Sequence, residues 1–502
     1  MTEAWTWFSF LSLAEPDSTG VMLLVLGVLV AISAVFSRVV DRLGVPVMLL
    51  FLGVGMLAGG EGILGYPFEN YGLAVRLGNV ALVLILFDGG FNTSAAAIRQ
   101  VLYPSVVLAT AGVAATAALV AVFARFLGLS WSEATLLGAV VSSTDAAAVF
   151  AVLRGGSLHL QPKVGHTVEV ESCLNDPMAI ILTLTIIEAI TSQKLPGWSA
   201  ALSVVVQLVV GAGVGVIIGG LARKLLPKVS LGTVGLYPVL TLSVAFISFG
   251  AATLAYGSGV MAVFITGVIL GNSPLPYKNG LARVHDAMAW LSQVGMFLMM
   301  GLLVFPSRLM QVAGIGLAVG LFLALVARPL SVIPLLLPFG YSIKQVAYIG
   351  WVGLRGSVPI ILGTFPVLAG VPGAERVFDT VFFIVVVSSV IPGSTLRWVT
   401  RLAKLNIPER PAPQTALEIN SPHPLEGELV AFLISPAVAV CGASLRQIEL
   451  PSKASVVLVI RGSHVLAARG DTVLQEGDHA YVYFRYEDRP FVELLFGRPQ
   501  SV

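Results

Sequence analysis

The segment "SEATLLGAVVSSTDAAAVFAVL", residues 132–153, is long and apolar enough to cross a bilayer, yet four consecutive polar residues interrupt it. These four are Ser142, Ser143, Thr144 and Asp145. Such side chains compete with helical backbone hydrogen bonds and make good N-caps, so they predict a broken helix with Asp145 at the break. A simple kink would leave Asp145 unexplained, because a charge inside a membrane span costs about 2.5–3.5 kcal/mol on insertion scales.

The composition of the chain is typical of a membrane protein. Of its 502 residues, 56% are hydrophobic and 11% are charged, whereas a soluble domain has about 25% charged residues. The mean hydropathy is +0.91. These values predict a polytopic α-helical membrane protein. Cys173 lies in an apolar segment and Cys441 in a polar tail, so a disulfide framework is not expected.

Hydropathy divides the apolar part of the chain into about thirteen spans of the length that a bilayer requires. The predicted spans are 21–38, 44–60, 73–92, 103–127, 132–153, 166–190, 199–221, 234–254, 257–271, 286–305, 310–337, 344–369 and 376–397.

Basic residues are concentrated in the odd-numbered connecting loops and after the last span. They are Arg38, Arg42, Arg99, Arg154, Lys163, Arg223, Lys224, Lys228, Lys278, Arg283, Arg397, Arg401 and Lys404. By the positive-inside rule these loops face the cytoplasm. The N-terminus is then outside and the C-terminus inside. The first twenty residues lack a positive n-region and an obvious cleavage site, so we expect a retained segment.

The composition changes after the last span. Residues 1–405 are predicted to form the transmembrane domain, and the Pro-rich segment 406–426 reads as a linker. Residues 427–502 are predicted to form a small cytoplasmic α+β domain, whose size would favour dimerisation. Its predicted strands are 428–434, 455–462, 465–470 and 479–485, and its predicted helices are 442–450 and 489–496.

The stretch "VEVESCLNDPMAI", residues 168–180, carries acids into an otherwise apolar span. Glu171 and Asn175 are spaced i,i+4, as are Ser172 and Asp176, so the two pairs occupy neighbouring stripes of one helix face. Asp176 lies roughly 15 Å into the span at helical rise, which is near the membrane midplane. Asp176 is therefore the strongest functional candidate in this span.

A second interrupted span reads "VAYIGWVGLRGSVPIILGTF", residues 346–365, with Arg355 between two glycines. A buried arginine needs an anionic partner. We expect this partner to be Glu171, which would leave Asp145 and Asp176 as the anionic site.

Two other charged residues are weaker candidates. Asp88, in "LFDGGFNTS", and Arg328, in "LVARPLSV", could hold helices together or line the cytoplasmic approach. Glu169 lies near the cytoplasmic end of its span, where an acid can simply favour a helix N-terminus.

Thirteen spans divide into two six-span repeats joined by the seventh, so the fifth span corresponds to the twelfth. Paired interruptions in matching positions point to the site of an inverted-repeat transporter.

Carboxylates with nearby hydroxyl and carbonyl oxygens suit an alkali cation, and carboxylates also bind protons. Competition at a site exposed alternately to each side would give antiport. No Cys/His cluster and no phosphate-binding loop are present, which argues against zinc, copper or ATP drive.

Three motifs together resemble the monovalent cation:proton antiporter-1 family, of NhaP type, over residues 20–400. They are "SSTDAAAVF" (142–150), "VESCLNDPMAI" (170–180) and "GLRGSVPI" (353–360). The tail resembles the TrkA-C (RCK-C) regulator domain, with its strands around "GDTVLQEGD" (470–478). This combination resembles bacterial potassium/proton antiporters.

The resemblance implies specific roles for matching residues. By this resemblance Asp176 is the carboxylate that binds the ion and the proton, and Ser172 is an oxygen ligand. Asp145 and Thr144 lie where the unwound chains cross. Glu171 and Arg355 form an ion pair, and Asn175 lies near that pair. Members with Asn-Asp are usually electroneutral, and the absence of a lysine from the tenth span fits one-for-one exchange. The resemblance also implies a homodimer.

The leading hypothesis is an electroneutral potassium/proton antiporter of the bacterial inner membrane, with sodium open as a second substrate. A sodium/proton antiporter is the nearest alternative. A channel gated by the cytoplasmic domain is disfavoured because no TVGYG-type filter segment is present, and an intramembrane enzyme because no metal pair or serine nucleophile arrangement appears. The expected partners are the lipid bilayer, K⁺ or Na⁺, and H⁺, without cofactor or nucleic acid. Whether the tail binds a regulatory nucleotide stays open.

Overall fold

The structure is a computed structural model of the whole chain. It describes residues 47–63, 65, 68, 70–154, 158–192, 198–229, 231–407, 427–462 and 464–497, together with isolated helical positions between 20 and 35. Apart from those isolated positions, the first predicted span lies outside the described residues, as do its loop arginines Arg38 and Arg42 and most of the predicted linker.

The described part of the chain is predominantly helical. We number its helices α1 (Met48–Ala58), α2 (Tyr71–Asn92), α3 (Ala95–Val107), α4 (Val113–Phe126), α5 (Trp131–Val140), α6 (Ala146–Arg154), α7 (Pro162–Ser192), α8 (Trp198–Leu225), α9 (Leu236–Leu254), α10 (Gly259–Gly271), α11 (Lys278–Leu302), α12 (Pro306–Phe322), α13 (Arg328–Leu336), α14 (Ile343–Trp351), α15 (Ser357–Leu368), α16 (Ala374–Ala403) and α17 (Arg489–Phe496).

Seven helical stretches among the described residues are long and apolar enough to cross a membrane. They are Tyr71–Asn92, Ala95–Phe126, Pro162–Ser192, Leu202–Lys228, Leu236–Leu254, Pro306–Phe339 and Ala374–Ala403. Three shorter apolar helices are α1, α10 and α15. The chain is thus a helical membrane protein, while the number of thirteen spans and their inverted repeat remain predictions.

Both predicted interruptions are present. Helix α5 ends at Val140 and α6 begins at Ala146, so the polar residues between them are not helical. Likewise α14 ends at Trp351, and α15 begins at Ser357. Each break lies between two short helices, and the first helix of each pair begins with a capping box, Ser130 with Glu133 and Ser342 with Gln345.

Two long apolar helices contain π-helical turns. One turn, Leu108–Gly112, joins α3 to α4, and the other, Leu323–Ala327, joins α12 to α13. Such turns shift the register of the residues that follow, and they occur frequently at functional sites. Arg328 directly follows the second turn and is fully buried.

The described chain clusters into two compact units. The first comprises Met1–Ala222, Pro238–Asn272 and Val284–Ile407, and the second comprises Arg223–Tyr237, Ser273–Arg283 and Pro408–Val502. In the first unit, buried apolar side chains form clusters that include residues of the broken helices α5, α6, α14 and α15.

The C-terminal part contains a four-stranded antiparallel sheet of order β3-β6-β4-β5. Its strands are β3 (Gly427–Leu433), β4 (Ser455–Arg461), β5 (His464–Ala467) and β6 (His479–Arg485). Helix α17 packs Val492 and Phe496 against one face of the sheet. The four predicted strands and the second predicted helix are confirmed. The predicted helix 442–450 is wrong, because only the 3₁₀ turn Leu445–Gln447 forms there.

The start of the predicted linker also differs from expectation. Residues Asn406–Ile407 form a short strand, β2, paired antiparallel with β1 (His159–Leu160). The backbone N–H of Gln161 also donates to the carbonyl of Leu405, over 2.9 Å. The chain after α16 is therefore hydrogen-bonded to the segment before α7 in the same compact unit.

Candidate functional site

The two helix breaks meet in the first unit. The backbone N–H of Asp145, in the break between α5 and α6, donates to the carbonyl of Leu354 over 2.8 Å. Leu354 lies in the break between α14 and α15. Residues in the breaks have no helical partners for their backbone groups, so a bond between the two unwound segments satisfies a buried donor and acceptor at once. Thr144 and Asp145 thus lie where the unwound chains cross.

The carboxylate of Asp145 lies against the starts of two helices. Its Oδ1 accepts the backbone N–H of Ala148 over 3.1 Å, which caps α6. A Cβ atom on Gly356, the N-cap residue of α15, would lie 1.8 Å from Oδ2 of Asp145. The close approach therefore requires glycine at 356. A negative charge is favoured at both helix N-termini.

Asn175 joins the first break to α7. Its Nδ2 donates to the Thr144 hydroxyl over 2.6 Å and to the Glu171 carboxylate over 3.0 Å. Its Oδ1 accepts the backbone N–H of Thr144, over 3.3 Å. Asn175 is fully buried, and these contacts use both its donor and its acceptor groups. It therefore fixes the position of the unwound segment relative to α7.

Ser172 makes a second connection between the same elements. Its hydroxyl donates to the carbonyl of Thr144 over 2.8 Å and accepts the backbone N–H of Ala146 over 3.0 Å. Both bonds satisfy backbone groups that the helix break would otherwise leave without partners. Ser172 and Asn175 thus hold the break from one face of α7.

Asp176 lies one helical turn beyond Ser172 and is 7% exposed. Asp145 and Glu171 lie within electrostatic range of its carboxylate, and the Ser143 side chain faces it. Within the described residues, neither Asp176 Oδ1 nor the Ser143 hydroxyl makes a hydrogen bond of normal geometry. A buried carboxylate oxygen without a partner is uncommon in proteins and is typical of functional positions.

The predicted ion pair between Glu171 and Arg355 is wrong. Glu171 pairs with Arg328, whose Nη2 lies 2.9 Å and 2.8 Å from its two carboxylate oxygens. Both side chains are 2% exposed, so the pair is fully desolvated. A π-helical turn directly precedes Arg328, and hydropathy does not reveal such a turn.

Arg355 lies close to this pair without bonding to it. Its Nη1 donates to the carbonyl of Gly353 over 2.7 Å, and its backbone N–H donates to the Ser388 hydroxyl over 3.0 Å. Its Nε and Nη2 are buried without partners among the described residues. A Cβ on Gly353 would lie 3.0 Å from Arg328 Nε and 3.1 Å from Arg355 Nη1, so Gly353 separates the two guanidinium groups.

The remaining predicted residue, Asp88, is not among these contacts. Its Oδ1 accepts Nδ2 of Asn92 one turn later on α2, over 2.8 Å. The structure adds Ser388, Gly353 and Gly356, which sequence reasoning did not single out as site residues. The glycines flanking Arg355 were the available signal, because a glycine pair around a buried charge often marks a close approach.

Comparison with known proteins gives the family. The profile of the family described as "Sodium/hydrogen exchanger, transmembrane" matches residues 27–402, and that of the TrkA-C domain matches residues 429–487. The K(+)/H(+) antiporter NhaP2 of Shewanella sp. (strain MR-4) is 39% identical over 468 residues, covering 92% of this chain and 81% of the relative. The K(+)/H(+) antiporter NhaP of Alkalimonas amylolytica is 37% identical over 487 residues, covering 97% and 85%.

A more distant relative is the Na(+)/H(+) antiporter NhaS2 of Synechocystis sp. (strain ATCC 27184 / PCC 6803 / Kazusa), 28% identical over 379 residues, covering 71% of this chain and 67% of the relative. Among solved structures, the sodium proton antiporter MjNhaP1 from Methanocaldococcus jannaschii at pH 8 aligns with a TM-score of 0.64 at 22% identity, covering 74% of this chain and 99% of that one. At this identity the likeness shows the fold alone. The chain therefore belongs to the sodium/hydrogen exchanger family and carries a TrkA-C domain after its transmembrane part.

Proposed function

We propose that the protein exchanges an alkali cation for a proton by alternating access, and that Asp176 is the carboxylate that binds each in turn. The observation that carries this proposal is the buried Asp176 Oδ1, which has no partner among the described residues. A carboxylate that forms an ion pair with an arginine would stay ionised. Asp176 has no such partner, so its negative charge is balanced by whichever cation is bound.

The neighbouring residues shape this site. Asp145 and Thr144 lie on the unwound segment, which Ser172 and Asn175 hold in place. Carboxylate, hydroxyl and carbonyl oxygens are hard ligands, which suits an alkali ion more than a soft transition metal. We assign ion binding to Asp176 and Asp145, support of the site to Thr144, Ser172 and Asn175, and charge balance to Glu171, Arg328 and Arg355.

The charges around the crossing support one-for-one exchange. Around the crossing lie three carboxylates, Asp145, Glu171 and Asp176, and two guanidinium groups, Arg328 and Arg355. With all five ionised, one negative charge remains. One proton or one monovalent cation neutralises it, so both loaded states carry the same net charge and the exchange is electroneutral.

Potassium is the favoured substrate. The relatives covering nearly the whole chain are K(+)/H(+) antiporters, and a TrkA-C domain follows the transmembrane part. Sodium is the second candidate, because NhaS2 is a Na(+)/H(+) antiporter and MjNhaP1 a sodium proton antiporter. The oxygen ligands by themselves do not choose between the two ions.

We place the protein in a bacterial inner membrane as a homodimer, with its N-terminus outside and its C-terminal domain in the cytoplasm. The distribution of Lys and Arg over the loops supports this orientation. We keep the domains as 1–405, 406–426 and 427–502, with the first residues of the linker tied to β1. The transported ions are the only ligands in this proposal.

The test uses everted membrane vesicles with a dye that reports the pH gradient. Adding potassium should dissipate the gradient, and Asp176→Asn should abolish this response while the protein remains in the membrane. The rate should not change when a permeant anion collapses the membrane potential. If the vesicles respond to sodium and do not respond to potassium, sodium replaces potassium as the proposed substrate. Normal exchange by Asp176→Asn would remove Asp176 from its role.

A further inference from the structure

Each helix break is bonded to a serine on the next long helix along the chain. Ser172 on α7 accepts the backbone N–H of Ala146, where α6 begins after the first break, over 3.0 Å. Ser388 on α16 accepts the backbone N–H of Arg355, in the break between α14 and α15, also over 3.0 Å. The predicted repeat, in which the fifth span corresponds to the twelfth, puts these two serines on matching helices. The contact of Ser388 is therefore the counterpart of that of Ser172.

The Ser388 hydroxyl differs from other hydroxyls on its helix. Serine and threonine inside a helix can donate back to the carbonyl one turn earlier. Four hydroxyls on α16 form this bond, those of Thr380, Ser394, Thr395 and Thr400. Within the described residues Ser388 forms no such bond, and its hydroxyl contacts the second break instead.

Helix α7 has the same distribution of hydroxyl contacts. Three of its threonines donate back to the carbonyl one turn earlier, namely Thr167, Thr185 and Thr191. Ser172 donates to the carbonyl of Thr144 in the first break. On each of the two long helices, one serine thus serves the backbone of a break.

Ser388 lies in an apolar stretch of α16, "IVVVSSVI" (384–391), and is 6% exposed. The backbone of Arg355 is in the second break and has no helical acceptor for its N–H. A buried N–H without an acceptor is costly, so the bond to Ser388 stabilises this conformation of the break.

The two neighbours of Arg355 in the chain both meet Asp145. The carbonyl of Leu354 accepts the backbone N–H of Asp145 over 2.8 Å. Gly356 lies so close to the Asp145 carboxylate that a Cβ there would be 1.8 Å from Oδ2. Any displacement of the Arg355 backbone must therefore move at least one group that touches Asp145.

We propose that Ser388 is a positioning residue for cation binding: it fixes the second break and, through Leu354 and Gly356, the place of Asp145 relative to Asp176. This inference rests on the proposed antiport. Without the hydroxyl, the N–H of Arg355 loses its acceptor and the break is released. The affinity for the cation then falls, whereas a purely structural defect would lower only the amount of active transporter.

The decisive variant is Ser388→Ala, which removes the acceptor and little volume. In everted vesicles, the potassium concentration for half-maximal rate should rise about fivefold, as expected for losing one buried hydrogen bond. The maximal rate per inserted protein should change little. Ser388→Cys keeps the volume but has only a weak acceptor, so it should shift the half-maximal concentration in the same direction. This second variant decides the matter if Ser388→Ala fails to insert.

Ser389→Ala is the matched control. Ser389 is the next residue on α16 and is 5% exposed. Among the residues that the structure describes, it makes no hydrogen bond to the second break, whereas Ser388 does. Its replacement should leave the half-maximal potassium concentration unchanged.

Thermal unfolding in detergent gives a measurement that does not depend on transport. A cation that binds only the folded protein raises the unfolding midpoint as its concentration increases. In Ser388→Ala the same rise should need about five times more potassium, because the affinity for the bound ion is lower. A variant that is only less stable would start from a lower midpoint and respond to potassium at wild-type concentrations.

The inference is overturned if the half-maximal concentration is unchanged in Ser388→Ala, or if Ser389→Ala raises it equally. A wild-type response of the unfolding midpoint to potassium in Ser388→Ala would also overturn it. A wild-type protein that exchanges neither potassium nor sodium would instead refute the proposed function. If the wild type exchanges only sodium, the same comparisons are made with sodium.

Discussion

Arg328 Nη2 lies 2.9 Å and 2.8 Å from the two carboxylate oxygens of Glu171, and this pair is buried beside the crossing of the unwound chains. Removing one partner leaves the other as an uncompensated buried charge. Arg328→Gln should therefore lower the free energy of unfolding by about 3–5 kcal/mol. The fraction of protein that stays monodisperse in detergent after heating measures this loss.

A double-variant cycle separates this pair from its neighbour. Glu171→Gln with Arg328→Gln removes both charges, so it should recover part of the stability lost in Arg328→Gln alone. Combining Glu171→Gln with Arg355→Gln should give a smaller coupling, because Arg355 makes no hydrogen bond to Glu171 in the structure. Equal coupling for both arginines would contradict the observed pairing.

Gly356 is the position where the Asp145 carboxylate meets the start of α15. A Cβ there would lie 1.8 Å from Oδ2, so Gly356→Ala must displace the carboxylate or separate the two breaks. We expect exchange to fall at least about tenfold, equivalent to about 1.4 kcal/mol in the barrier, with the protein still inserted. Gly350→Ala is the control, since its nearest atom would be 3.5 Å away. Similar activity in both variants would contradict the close approach.

The Thr144 hydroxyl accepts Nδ2 of Asn175 over 2.6 Å. In Thr144→Val this acceptor is lost and a buried amide donor is left without that bond, at a cost of about 1–3 kcal/mol. Thr144→Ser keeps the hydroxyl. We therefore expect reduced stability and slower exchange in the valine variant, with near-normal values in the serine variant, measured in the same vesicles and detergent assay. Loss of exchange in Thr144→Ser would point to the methyl group instead.

Two truncations test the connection after α16. A chain ending at residue 410 keeps β2 and its pairing with β1, so it should insert normally and retain exchange with altered regulation. A chain ending at Ala403 also removes Leu405, which is 3% exposed, and should be less stable. Expression level, thermal stability and vesicle exchange distinguish the two. Complete inactivity of the longer truncation with normal insertion would show that the C-terminal domain is required for transport itself.

The sequence predicted most of the local structure. Ser142 to Asp145 and the glycines around Arg355 indicated both helix breaks, because polar and glycine residues disrupt helical hydrogen bonding locally. Short apolar segments predicted the four strands of the C-terminal domain. The predicted helix 442–450 was wrong because Ser444 and Gln447 cap only a single 3₁₀ turn. The predicted partner of Glu171 was wrong because the chain has two buried arginines, Arg328 and Arg355. The distance from each of them to Glu171 depends on how helices far apart in the sequence pack.

The sequence by itself determined that the chain spans a membrane, where its helices break and which carboxylates lie in apolar surroundings. These properties follow from residue composition and from interactions between residues close in the chain. Only the tertiary structure decided which groups meet: Asp145 with Leu354, Glu171 with Arg328, and Glu169 with Thr93. These contacts join residues 76 to 209 positions apart, so they depend on how the helices pack. For the same reason, only the tertiary structure left Asp176 Oδ1 without a hydrogen-bond partner among the described residues.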